Sequence, residues 1–383
     1  MNKNSRLPLY VIFLLIAVAL AWRITNPPPK IVPGPIGSFA DWKSMRSYGN
    51  MGAQAVNPAG AIWAGAWNSK QPSSNTAYSA IRIVDFNGHT GKSCALPDGI
   101  EVNYISWADN STLRACFTNI ADPMQGSGFI LVDALEGRIV GEPVYGSDIE
   151  RIICWPDTYS KFIALTDEEP ASVAEYSENG KECTKIGQAI AIAGGEKESL
   201  YKDAGIDYAG GTFVFSVADS NVSGGRAYYL ADAETGSAVK MFELADVPGR
   251  IEGIWPSPVQ VLIVCRVDQK LQALTYDKST AKLIEQPNGV DLSIWPKVPE
   301  KIYYTNYNGG FQFDLATGKS KPVFDLSKRN SENDKTWRDT IRDSRLYRLK
   351  SGNYVSVSEI GGMVDIREIK PDGQWYRNVL PRH

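Results

Sequence analysis

Histidine is nearly missing: 383 residues carry two, His89 and His383. Three-histidine zinc sites are thereby excluded, and a histidine-based triad would have to be built on one of this pair. His89 lies in the turn-like run Asn87-Gly88-His89-Thr90-Gly91, which reads as a solvated turn, and His383 ends the chain, where residues fray. Cysteine is sparse and odd in number: Cys94, Cys116, Cys154, Cys183 and Cys265. No two share the CxxC spacing of zinc or redox motifs. Cys116, Cys154 and Cys265 fall inside apolar runs and read as small buried hydrophobes, whereas for Cys94 a disulfide to a neighbouring unit stays open. Net charge is only −3, too small a field to draw nucleic acid or an anionic membrane surface. Gly-x-Ser-x-Gly, Walker, HExxH, Rossmann and EF-hand patterns are also missing in sensible context.

At the N-terminus, Lys3 and Arg6 precede an apolar run from Leu7 to Trp22, closed by Arg23. The run is slightly short for a membrane span but carries an interfacial aromatic and a flanking cation, and it has no polar segment ahead of a cleavage site. A signal-anchor helix over residues 1–25 is expected, with cleavage of a signal peptide after Ala21 as the alternative. A Pro-rich linker, residues 26–49, follows and is expected to hold an extracytoplasmic domain off the bilayer.

What is abundant is repetition. Glycine (34), tyrosine (18) and tryptophan (10) are spread through short β-branched runs bounded by turn residues. Asp-led glycine turns recur at Asp232-Ala233-Glu234-Thr235-Gly236 and Asp314-Leu315-Ala316-Thr317-Gly318, with looser copies at Asp133–Gly137 and Asp277–Ala281. A strand-ending tryptophan recurs as Trp107, Trp155, Trp255 and Trp295, three of them before proline. Each reads as a wedge between neighbouring sheets. Units of about 40 to 50 residues holding four short strands are the signature of a β-propeller. Seven such units fit between Asn50 and Leu380, so the expected fold is an all-β, seven-bladed β-propeller over residues 50–383, preceded by the transmembrane helix.

Tyr303-Tyr304-Thr305-Asn306 with Phe313-Asp314-Leu315-Ala316-Thr317-Gly318-Lys319 resembles the YVTN repeat, and Trp155-Pro156-Asp157 is similar to the Ser-Pro-Asp-Gly turns of TolB-like repeats. On these residues the chain resembles the bacterial WD40-like and YVTN-type propeller superfamily, a resemblance that implies a fold and little chemistry. The Asp-x-x-Thr-Gly-Lys turn is also similar to quinoprotein propellers, but the docking tryptophan that should follow it is absent, and neither cofactor nor metal is expected.

In a four-stranded blade the second-to-third loops and the connectors between blades share one face. Those segments are the long ones, whereas turns on the other face are trimmed. Recognition is therefore expected on the long-loop face, with an envelope protein or small ligand as partner, membrane contact only through the N-terminal helix, and no nucleic acid. The candidate residues are the acidic knot Asp167, Glu168 and Glu169 and the basic-aromatic group Trp337, Arg338 and Arg342. In each case a salt-bridged or solvated surface segment is the competing reading. The function expected is a membrane-tethered scaffold that binds protein or ligand in the cell envelope. The alternative is a lactonase-, lyase- or glycosidase-like enzyme with its site at the central channel, which requires carboxylates or arginines converging there.

Overall fold

The computed structural model describes residues 49–70, 77–87, 90–179, 181–192, 200, 204–219, 225–326, 344–360, 363–373 and 375–378. They form six antiparallel sheets, and in five of these the strands follow chain order. The first holds β1 (Gly49–Val56), β2 (Ile62–Lys70), β3 (Ala77–Asp85) and β4 (Thr90–Ala95). The second holds β5 (Ile100–Trp107), β6 (Thr112–Asn119), β7 (Ser127–Asp133) and β8 (Arg138–Gly146). The third holds β9 (Ile149–Cys154), β10 (Lys161–Thr166), β11 (Ser172–Glu178) and β12 (Cys183–Ala191). The fourth holds β13 (Gly205–Ile206), β14 (Thr212–Ala218), β15 (Arg226–Asp232) and β16 (Ser237–Glu243). The fifth holds β17 (Arg250–Pro256), β18 (Gln260–Val267), β19 (Lys270–Asp277) and β20 (Lys282–Glu285).

Burial explains why the middle strands read as unbroken apolar runs. Strands β6, β10, β14 and β18 are buried along almost their whole length, because a sheet lies against each of their faces. The outer strands β8 and β16 are mostly exposed and correspondingly polar. Apolar clusters fill the spaces between successive sheets, for example Ile83 with Ile105 and Leu113, Phe129 with Trp155, and Tyr228 with Ile263. A further cluster joins the last strands to the first: Leu349, Val355 and Ile366 pack with Val56, Trp63 and Val84. The ring is closed, and the fold is an all-β propeller.

The blade count corrects the sequence expectation: there are six blades, not seven. The sixth sheet has seven strands, ordered β23-β22-β21-β24-β25-β26-β27. Its members are β21 (Lys301–Asn306), β22 (Gly309–Asp314), β23 (Lys319–Asp325), β24 (Arg345–Arg348), β25 (Tyr354–Ile360), β26 (Met363–Ile369) and β27 (Trp375–Asn378). The residues expected to supply an inner strand here, Ser293 to Pro296, do something else. Asp291 accepts a hydrogen bond from the Ser293 N–H at 3.0 Å and starts a 3-10 turn over Leu292–Ile294, which Trp295 and Pro296 terminate. The inner edge of β21 is left open, and β24 pairs onto it at Tyr304 and Arg345. Ser344 reinforces the joint: its carbonyl accepts from the Thr305 N–H at 3.3 Å and from the Thr305 hydroxyl at 3.1 Å. Two expected units thereby become one sheet.

The repeated turns form as read. Asp133, Asp232, Asp277 and Asp314 each accept backbone N–H bonds from two or three residues ahead. The residue closing each turn has positive φ: Gly137, Gly236 and Gly318, and Ala281 at 53°. All five cysteines are free, and only Cys183 is not buried. The described residues hold no α-helix, and no helix among them is long and apolar enough to cross a membrane. The expected N-terminal helix and most of the linker lie outside them, as do His89 and His383.

Candidate functional site in the channel wall

Four inner strands carry β-bulges against their neighbours. In β1 the register shifts between Met51 and Gln54, in β5 between Val102 and Tyr104, in β9 between Ile152 and Cys154, and in β17 between Ile251 and Gly253. A bulge leaves one residue without a cross-strand partner and re-aims its side chain. The residues so released include Ala53, Asn103 and Ile153, and all three line one cavity of about 340 Å³. Its remaining walls are Asn68, Glu101, Val102, Tyr104, Arg151, Ile152 and Leu200. These residues sit toward the start of the inner strands, the end of β2 and a connector. The cavity therefore opens on the side of the second-to-third loops and the connectors between sheets.

Part of this wall is fixed. The Asn68 amide donates to the Val102 carbonyl at 2.8 Å and accepts from the Val102 N–H at 3.1 Å, locking the first sheet to the second. Ser79 adds bonds to Asn68 at 2.7 Å and to the Ile100 carbonyl at 2.8 Å. Burial drives the Tyr104 phenol well above its ordinary pKa, and its side chain is hydrogen-bonded with the Cys154 thiol and the Trp155 backbone. Glu101 is engaged by other groups of the protein.

Two groups are not used up in this way. Asn103 donates through Nδ2 to Thr118 Oγ1 at 2.8 Å, and its Oδ1 is buried without a partner. Turning the amide over would exchange the atoms and still leave one of them buried without a partner. The side chain of half-buried Arg151 forms no hydrogen bond or ion pair among the described residues. Buried arginines elsewhere are paired: Arg114 bonds Glu178 at 3.0 Å over the Trp155 ring, and Arg266 bonds Glu252 at 2.8 Å.

Other charged groups at the inner strands are already committed to structure. Glu252, released by the β17 bulge, accepts from Arg250 at 2.6 Å and from Arg266 at 2.8 Å. Burial pushes its carboxyl up, but the two guanidinium groups outweigh that and hold it below its usual range. At the far end of the inner strands, Asp157 accepts the Trp107 N–H at 2.7 Å, while the Thr158 N–H donates to the Trp107 carbonyl at 2.6 Å. These bonds staple the third sheet to the second. Burial raises the Asp157 carboxyl to about 6, against opposing pulls from the Trp107 bond and Arg114.

The sequence candidates fall elsewhere. Asp167, Glu168 and Glu169 are exposed in the β10–β11 loop and none lines the cavity. Lys185 draws Glu168 (2.6 Å) and Asp148 (2.9 Å) together, and Tyr176 donates to Asp148 at 3.0 Å. The described residues contain no group of three or more potential metal ligands. Trp337, Arg338 and Arg342 lie outside the described residues. What sequence reasoning missed is Asn103 and Arg151. Each sits four residues before a strand-ending tryptophan, Trp107 and Trp155, and a polar residue at that spacing was the available signal.

Comparison with known proteins assigns neither a family nor an activity. No protein-family model and no curated protein matches the chain. Among solved structures, the β-propeller domain of the trilobed protease from Pyrococcus furiosus is similar, with 11% identity and a TM-score of 0.46 over 87% of this chain and 96% of that one. Acylaminoacyl peptidase from Pyrococcus horikoshii is 12% identical over 88% of this chain, which spans only 53% of the peptidase, with a TM-score of 0.45. TolB from Acinetobacter baumannii is 11% identical over 80% of this chain and 77% of that one, with a TM-score of 0.37. The chain is a β-propeller with six blades. At this distance the likeness concerns the fold alone.

Proposed function

We propose that this propeller is a binding module of the cell envelope, tethered by the apolar run Leu7–Trp22 and engaging its partner or ligand on the face where the channel cavity opens. One observation carries the reading: the cavity and the longer loops share a face, and the bulges of three adjacent inner strands aim side chains into that cavity. The described lining supports binding over hydrolysis, since it supplies a single carboxylate, Glu101, and no serine, threonine, cysteine, lysine or histidine. Paired acid–base chemistry needs a second group.

The test is photo-crosslinking in cells. A photoreactive residue at Met124, which is 89% exposed in the β6–β7 loop, should trap a partner. The same residue at Ser279, in the β19–β20 turn on the opposite face, should not. Equal trapping at both positions, or at Ser279 alone, removes the assignment of the binding face.

A further inference from the structure

We infer that the channel cavity is a site for a small organic monocarboxylate with a short apolar body, with Arg151 gripping the carboxylate. This deepens the binding role proposed above and rests on it. Four features of the wall converge on that chemistry.

The first is charge. Arginine is seldom taken out of water without a carboxylate or phosphate to receive its five donors. Arg151 is half-buried on the wall and has no such acceptor among the described residues, and no second cation stands among the lining residues described. The second is size. A space of about 340 Å³ lies in the range of small-molecule pockets and far exceeds what an inorganic anion fills. The third is apolar lining. Ala53, Val102, Ile152, Ile153 and Leu200 supply half of the wall residues, and a bare phosphate or sulfate would leave them facing water. The fourth is the count of charges. Arg151 is the single cation among the described lining residues, so it matches one negative charge on a ligand and leaves a second unmatched. Asn103 is a neutral polar member of the same wall, held to Thr118 at 2.8 Å.

The arrangement also accounts for the bulges. In an unbroken ladder Asn103 and Ile153 would be held in register with the second strands of their sheets. Released from it, they contribute a polar and an apolar contact to one space.

The experiment uses the full-length chain and three probes of one shape: 3-methylbutanoate, 3-methylbutanamide and 3-methylbutylammonium. Calorimetry should show saturable binding of the acid, with the amide and the ammonium at least about tenfold weaker, as expected when a charge-assisted fork is the main polar contact. Arg151→Gln should weaken the acid by about tenfold or more. Arg151→Lys should fall between, keeping the charge and losing the planar fork. Asn103→Asp, which sets a second carboxylate beside the ligand, should weaken it comparably and serves as the deciding variant if Arg151→Gln does not fold. The proposal is overturned if the acid shows no saturable binding up to its solubility limit, if the amide binds as tightly as the acid, or if folded Arg151→Gln binds like the parent. Those failures would leave the crosslinking result at Met124 standing, so the ligand class and the binding face are judged separately.

Discussion

Replacing Asp157 with asparagine should make the protein more stable, and only above mildly acidic pH. The carboxyl is largely buried, accepts one N–H bond from Trp107 and has its pKa raised from 3.8 to about 6. Burial is the largest cause, and the Trp107 bond and the Arg114 charge offset part of it. The sign follows from proton binding. Between these two values the folded chain holds the proton more tightly than the unfolded chain does, so stability falls as pH rises through this window. Above about pH 6 the full cost of keeping a buried carboxylate is present. A shift of about two pKa units corresponds to roughly 3 kcal/mol. Asparagine has nearly the same shape, keeps an oxygen for the Trp107 N–H and carries no charge. Asp157→Asn should therefore match the parent near pH 4 and exceed it by about 2–3 kcal/mol near pH 8. Urea unfolding midpoints with unchanged slopes, measured across that range, read the difference. Parallel pH–stability curves for the two proteins would refute the reasoning. So would an Asp157→Asn protein weaker than the parent at pH 8, because the charge would then be an asset and not a burden.

Three further outcomes follow from packing and turns. Trp155→Ala should cost about 3–5 kcal/mol, since this side chain is fully buried, stacks on Phe162 at 4.2 Å and meets Phe129 edge-on at 5.0 Å; a loss below about 1 kcal/mol in chemical unfolding would deny it a wedge role. Ala281→Gly should stabilise by a few tenths to about 1 kcal/mol, because Ala281 sits at a φ of 53°, whereas Gly236→Ala should destabilise, its new Cβ meeting Gln188 at 2.6 Å; opposite shifts in melting temperature check the pair. Glu252→Gln should cost about 3 kcal/mol by leaving buried Arg266 without its carboxylate, and a double variant with Arg266→Met should recover most of the loss.

Periodicity exposed the propeller because each middle strand is buried on two faces and each Asp-led turn needs the same residues for the same reason. The four Asp turns and the buried Trp155 were legible in this way. Blade number was not. Ser293-Ile294-Trp295-Pro296 has the composition of the other inner strands, but Asp291 captures the Ser293 N–H and tightens the chain into a turn. A single side-chain hydrogen bond decided against local strand preference. The cavity was hidden for a different reason. Bulges are differences in register between two strands, and Asn103 or Ile153 acquires its direction from a mismatch no single strand reveals. Loop length led to the acidic residues of the β10–β11 loop, where Glu168 is spent on Lys185. The polar wall residues lie on strands, where alternation alone would assign them to ordinary packing.

One joint in this ring differs from all the others. Among the described residues every other pair of adjoining sheets is linked through the chain itself, but strands β1–β4 and β24–β27 meet through side chains, chiefly Val56, Trp63 and Val84 against Leu349, Val355 and Ile366. No backbone ladder of the described residues crosses between them. Tension applied to the two ends of the domain therefore falls on oily contacts that let go singly, with no stitched edge to share the load. Under stretch or heat the circle should spring into a horseshoe at this place while each sheet is still whole.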